Sequence, residues 1–239
     1  MKVIQKKANE TKCPVIVSEP EHLILHENTI EGQRFSYKEY KDVCIHLLGN
    51  YQLENAATAL EVIRTLKNTG YTIADEAVRI GLEKTRWAGR FQVLQKDPLI
   101  IVDGAHNIDA IRRLTENIDI YLKGKKIVAI MGVFKDKEYG EMVKMIAPYL
   151  SKVYAVNLPN AERTLSKEAL RDEFLKQNVS AKMAETHIEA LQMALEDKED
   201  GQVILGFGSL SYLGDMFLMM MKMMKLEMLS ITNTLLNSM

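Results

Sequence analysis

The sequence predicts an α/β protein in which a small first unit of short strands and helices precedes a parallel sheet with crossover helices. Three observations carry this. Past Arg90, strand-length apolar runs alternate with helix-length segments, the rhythm of a parallel sheet. Leu99-Ile100-Ile101-Val102 is apolar throughout, as a strand buried on both faces requires. Before Arg90, β-rich runs broken by turn residues are followed by helices. The change of rhythm puts a domain boundary in Thr85–Arg90 and divides residues 1–86 from 87–239.

In chain order, Val15-Ile16-Val17, Leu23-Ile24-Leu25 and Gln33-Arg34-Phe35 are expected strands. Turns are expected at His26-Glu27-Asn28 and Glu31-Gly32, and Tyr40 to Leu48 supplies another strand. Asn50 is expected to cap a helix reaching about Lys67, because Leu53, Ala56, Ala57, Leu60 and Ile63 recur at helical spacing. Glu54 in its first turns suits the helix dipole. Gly70 ends this helix, and Ile73 to Leu82 reads as a second. In the second unit the expected strands are 99–102, 127–131, 153–156 and 203–205. The expected helices are 107–121, 138–150, 166–177 with Ser166 as cap, 188–195, and Tyr212 to about Lys225.

The composition excludes several function classes. Of 239 residues, 47% are hydrophobic and 26% charged, so the chain is neither disordered nor membranous. With 31 basic and 32 acidic residues the net charge is −1, which favours a small-molecule partner over nucleic acid or a lipid surface. The two cysteines, Cys13 and Cys44, have no metal or redox spacing. The basic start lacks a following apolar core, and the Met-rich run at 216–221 is broken by Lys222, too short to span a bilayer. A cytoplasmic protein is expected.

Ligands of an open parallel sheet bind beyond the carboxyl ends of its strands. Four segments fall there: Asp103-Gly104-Ala105-His106-Asn107, Gly132-Val133-Phe134-Lys135-Asp136-Lys137, Asn157-Leu158-Pro159-Asn160 and Gly206-Phe207-Gly208-Ser209. Asp103 can accept ribose hydroxyls or orient a metal-bound water. His106, at a helix start, can accept from an ammonium or donate to a phosphate oxygen; its ordinary structural reading is a helix-capping histidine. The backbone N–H groups around Gly208-Ser209 can hold an anion, although such a motif is more often only a tight turn. Arg86-Trp87-Ala88-Gly89-Arg90 at the boundary offers two guanidinium groups suited to phosphates, against an exposed linker with Trp87 packed on a surface. No G-x-x-x-x-G-K-[ST] occurs, so the chain does not cradle a triphosphate by that device.

Five segments, in this order, resemble the carboxyl-terminal part of folylpolyglutamate/dihydrofolate synthases of the Mur ligase superfamily. They are Leu47-Leu48-Gly49-Asn50-Tyr51-Gln52-Leu53-Glu54-Asn55-Ala56-Ala57, Trp87-Ala88-Gly89-Arg90, Asp103-Gly104-Ala105-His106-Asn107, Phe134-Lys135-Asp136-Lys137 and Gly208-Ser209-Leu210. The resemblance implies that 1–86 is the end of the family's central ATP-binding domain and 87–239 its Rossmann-like glutamate ligase domain. It implies an ATP-dependent ligase that joins L-glutamate to a folate or dihydropteroate carboxylate through an acyl phosphate. On that basis Asn55 would contact adenine, Arg90 the phosphates and Asp103 the ribose. His106 would lie near the phosphates and the incoming glutamate, and Ser209 would touch substrate.

This sequence departs from the family pattern at Tyr51, where His is common, and at Ala88, where Pro is common. The family's phosphate loop, magnesium ligands and carbamylated lysine all fall upstream of Met1. No metal ligand is therefore expected in this chain, the chain alone is expected to be inactive, and the cut central domain is expected to expose surface through which it associates. Two other readings stand beside this one. A peptidoglycan-precursor ligase shares the architecture, although D-G-A-H-N speaks for the folate branch. A non-catalytic module binding nucleotide or amino acid would fit the missing phosphate loop.

Overall fold

The computed structural model describes residues 2–197, 199–212, 214 and 216. It divides into two compact units, Met1–Arg86 and Trp87–Met239. The first contains helix α1 (Lys2–Thr11), strands β1 (Leu23–Thr29), β2 (Gly32–Tyr37) and β3 (Tyr40–Ile45), and helices α2 (Asn50–Asn68) and α3 (Asp75–Lys84). The strands form an antiparallel sheet in the order β1-β2-β3. Phe35, Tyr37, Tyr40, Val43 and Ile45 of the sheet pack on Leu53, Ala57 and Leu60 of α2 and Val78 of α3.

Several expectations change in this unit. Val15-Ile16-Val17 is not a strand, and α1 went unforeseen. The expected turn at His26-Glu27-Asn28 is continuous strand. Asn50 does not cap α2: Gly49 holds that position with φ +104°, and no side chain caps the helix. β1 leaves Ile24 and Leu25 exposed. Within the same unit Glu61 is a buried carboxylate that accepts from Tyr37 Oη at 2.7 Å and pairs with Lys38 Nζ at 2.7 Å and Arg64 Nη1 at 2.8 Å. Burial alone would raise its pKa. The bonds from Lys38, Tyr37 and Arg64 outweigh that and hold it below the ordinary glutamate value.

The second unit contains β4 (Gln92–Lys96), β5 (Leu99–Asp103), α4 (Ile108–Tyr121), β6 (Ile127–Met131), α5 (Tyr139–Ile146), β7 (Lys152–Ala155), α6 (Lys167–Lys176), β8 (Ser180–Met183), α7 (His187–Glu196) and β9 (Val203–Phe207). Its six-stranded sheet has the order β4-β5-β9-β6-β7-β8. Five strands run parallel and β4 is antiparallel to β5 at one edge. The mixed α/β class is therefore as expected, but β4 and β8 are additions. Asn107 and Ser166 cap α4 and α6 through side-chain oxygens that accept from Ala110 N and Ala169 N.

The central strands β5, β6 and β9 are buried along nearly their whole lengths, which explains why they read as continuous apolar runs. One side of this sheet packs Ile100, Val102, Val128, Ile130 and Ile204 against Leu191 and Tyr212. Tyr212 satisfies its buried hydroxyl by donating to the carbonyls of Ile130 and Phe207. Of the helix expected from Tyr212 to about Lys225, most lies outside the described residues. Among the described residues no helix is long and apolar enough to cross a membrane.

Candidate functional site

Register places Asp103, Phe207 and Met131 side by side at the carboxyl ends of β5, β9 and β6. The loops that leave this edge converge. His106 from the β5 loop, Phe134 and Lys137 from the β6 loop, Arg163 from the β7 loop and Ser209, Leu210 and Ser211 from the β9 loop line a cleft of about 340 Å³.

Asp103 ends β5, three residues before His106 of the cleft. The residue is only 6% exposed, and its carboxylate holds two backbone donors: Oδ2 accepts from Phe91 N at 2.7 Å and Oδ1 from Ala105 N at 2.8 Å. A third link, Gly104 N to Gly89 O at 2.7 Å, ties the same two segments. Trp87-Ala88-Gly89-Arg90 is thereby stitched to Asp103-Gly104-Ala105-His106. Burial pushes the Asp103 carboxyl upward, while the two backbone donors and the nearby Arg90 and His106 pull it back. Each oxygen keeps a second lone pair for a ligand, and the two backbone bonds give Asp103 a positioning task as well.

At Gly104 a Cβ would lie 2.5 Å from Leu210 Cδ2 and 3.2 Å from the Gly89 carbonyl oxygen, so Leu210 would have to turn away. Gly208 is more constrained still, with φ +112° and a Cβ position 2.3 Å from the Gly132 carbonyl oxygen. The β9 and β6 loops can approach this closely only because Gly208 lacks a side chain.

His106 donates from Nδ1 to the Gly104 carbonyl at 2.7 Å, because a carbonyl can only accept. Nε2 then carries the lone pair. Asn107, not His106, caps α4, so the capping role weighed for His106 belongs to its neighbour. Ser209 Oγ lies 2.9 Å from Ser211 Oγ and accepts from Ser211 N at 3.2 Å, which sets the first turn of the following helix. Arg90 sits with its guanidinium 5.5 Å from the Trp87 ring centroid and has no ion pair among the described residues. Trp87 is 59% exposed rather than packed away.

Asn55 lies on α2 in the first unit, where it is exposed and donates from Nδ2 to Gln52 Oε1 at 2.9 Å. The other four candidates belong to the second unit. His106 and Ser209 share the cleft; Arg90 and Asp103 are joined through the backbone stitching.

Sequence reasoning missed Arg163 and left Lys137 out of the candidate set. Arg163 stacks 4.5 Å over the Phe134 ring, and its carbonyl accepts from Lys135 N at 2.8 Å. Arg163 and Lys137 both flank Asp136, at 3.4 and 3.3 Å. The cleft thus combines two cations, an imidazole lone pair and two hydroxyls, an inventory that suits a small anionic ligand bearing an amine.

Comparison with known proteins gives the family. Residues 89–210 match the family described as Mur ligase, glutamate ligase domain. The chain is 27% identical over 221 residues to the dihydrofolate synthase/folylpolyglutamate synthase of Bacillus subtilis, covering 90% of this chain and 51% of that protein. The folylpolyglutamate synthase of Thermotoga maritima superposes with a TM-score of 0.75 at 25% identity, covering 89% of this chain and 49% of that one. A bifunctional folylpolyglutamate synthase/dihydrofolate synthase with Mn, AMPPNP and L-glutamate bound gives 0.70 at 26%, covering 90% and 50%. The chain spans about half the length of these relatives. Since the family match extends over half of its 239 residues and includes nearly every residue of the cleft, the chain belongs to the Mur ligase glutamate ligase domain family.

Proposed function

We propose that this chain supplies the glutamate-side half of an ATP-dependent ligase that adds L-glutamate to a folate-type carboxylate. The observation that carries the reading is the cleft formed by His106, Lys137, Arg163, Ser209 and Ser211 at the carboxyl edge of the sheet. A relative binds Mn, AMPPNP and L-glutamate. Lys137 and Arg163 would hold the carboxylates of glutamate, with the guanidinium kept in place by its stack on Phe134. His106 Nε2 can accept from the glutamate ammonium and take up a proton as the amine attacks the acyl phosphate. The C–N bond forms as the C–O bond to phosphate breaks, and inorganic phosphate leaves.

Arg90, without an ion pair among the described residues and anchored by the Asp103 stitching, would meet the nucleotide phosphates and stabilise charge that develops on transfer. Asn55 would contact adenine. Holding nucleophile and electrophile together is the larger part of such catalysis.

Magnesium enters only as the counter-ion of ATP. Among the described residues the grouping able to hold a metal is Cys44, His46 and Glu83, whose thiol and imidazole suit a softer ion. The sequence holds no Walker-type phosphate loop, so turnover needs a γ-phosphate grip from an additional segment.

The test joins the amino-terminal half of the Bacillus subtilis relative to this chain and measures incorporation of L-glutamate into folate and dihydropteroate. Muramyl-nucleotide substrates serve as the comparison. Folate-dependent incorporation is expected. Incorporation only with muramyl nucleotides would move the chain to the peptidoglycan branch, and none with either would favour a binding module.

A further inference from the structure

We propose that Cys44, His46 and Glu83, in the first unit and independent of the ligase reading, form a binding site for a zinc-class transition-metal ion. One ligand atom from each residue lies within 4.8 Å of the other two. Cys44 lies near the end of β3 and His46 comes two residues later. Since side chains alternate along a strand, the two share the outer face while Val43 and Ile45 point into the core. Glu83 comes from α3, which packs on β3 and is fixed there by Arg79 Nη1 donating to the Lys41 carbonyl. Arg79 and Glu83 are four residues apart, hence on the same face of the helix.

Three features favour a metal over a chance grouping of polar side chains. The first is the orientation of the imidazole. His46 Nδ1 lies 2.8 Å from the Glu31 carbonyl and must carry its proton toward it. Nε2 is left with the lone pair, the arrangement in which metal-binding histidines are held by a backbone carbonyl. Gly32 permits the ring to lie there, because a Cβ at that position would stand 3.2 Å from His46 Nδ1.

The second is charge. Arg34 is the cross-strand partner of Cys44, but its guanidinium is taken up by both oxygens of Asp42. It therefore offers the thiol little competition with a cation.

The third is ligand type and reach. A thiolate, an imidazole and a carboxylate make a three-ligand set of the kind zinc accepts, with a fourth position open to water. Tetrahedral bonds of about 2.0–2.3 Å put neighbouring ligand atoms roughly 3.5 Å apart. The observed spacing, within 4.8 Å, is wider, so the three side chains must turn toward the ion on binding. Binding displaces the thiol proton to solvent.

Cobalt(II) titration of the purified chain tests this. A one-to-one complex is expected, with thiolate-to-cobalt absorption in the near ultraviolet, visible bands of tetrahedral intensity, and displacement by zinc. The Cys44→Ser variant should lose the thiolate band, Cys13→Ser should keep it, and His46→Ala and Glu83→Gln should weaken binding. Zinc should also slow alkylation of Cys44, but not of Cys13, in the unsubstituted protein, a readout that does not depend on a variant folding. Absence of the thiolate band, its persistence in Cys44→Ser, or unchanged alkylation of Cys44 under saturating zinc would overturn the site. A ligase that works with an empty site would leave the proposal standing, and a bound metal without ligase activity would leave the ligase reading to its own test.

Discussion

Replacing Asp103 with alanine probes the joint on which the candidate site rests. The carboxylate satisfies the N–H groups of Phe91 and Ala105, and both residues are essentially inaccessible to solvent. Each buried donor left without an acceptor costs about 1–3 kcal/mol, so the two together cost about 2–6 kcal/mol. Removing a buried negative charge offsets part of this, which places the expected loss in the lower half of that range. Typical domains have about 5–15 kcal/mol of stability, so the variant should still fold.

Urea unfolding followed by circular dichroism measures the loss, and amide exchange at Phe91 and Ala105 localises it. The Asp103→Asn variant keeps one acceptor and should fall between the two proteins. An alanine variant within about 0.5 kcal/mol of the unsubstituted protein, the range of ordinary surface changes, would refute the argument.

Three more expectations rest on individual contacts. Gly208→Ala must relieve both a left-handed backbone and a contact with the Gly132 carbonyl; a loss of at least about 1–3 kcal/mol in urea unfolding is expected. Glu61 has its carboxyl held below the ordinary value of 4.5, so its contribution is fully present above that value and is lost as pH falls through the lower folded value. Glu61→Gln should therefore destabilise the first unit at pH 7, with the difference from the unsubstituted protein shrinking in acid unfolding curves. Arg90→Ala should weaken ADP binding in calorimetric titration, while Arg86→Ala, whose guanidinium donates to the carbonyls of Glu83 and Thr85, should change it less.

The parallel sheet is legible because its central strands have little choice of sequence. β5, β6 and β9 are covered on both faces, and burial forces apolar residues at nearly every position. β4 is hidden for the opposite reason. Gln92-Val93-Leu94-Gln95-Lys96 is an antiparallel edge strand of intermediate burial, and more than half of it is polar. Val15-Ile16-Val17 has strand composition but no partner in the sheet, which β-propensity alone cannot reveal.

The loops of the candidate site are legible because a parallel sheet gathers its ligand-binding segments beyond the carboxyl ends of its strands, and three of the four such segments contribute residues to the cleft. Asp103 stands out as a special residue but its task does not, because a carboxylate that binds backbone donors and one that faces solvent look alike in sequence. Arg163 lies three residues past Asn160, beyond the polar segment that marks the end of β7 in the sequence. The pairing of Phe134 with Thr164, the bond from Lys135 N to the Arg163 carbonyl and the stack on Phe134 bring it back to the sheet edge.

The most direct test of the central claim is calorimetric titration of the purified chain with L-glutamate, beside Lys137→Ala and Arg163→Ala variants of unchanged stability. Binding by the unsubstituted chain is expected, and each variant should weaken it tenfold or more, about 1.4 kcal/mol. Absence of binding, or binding that neither substitution alters, would contradict the assignment of this cleft to glutamate.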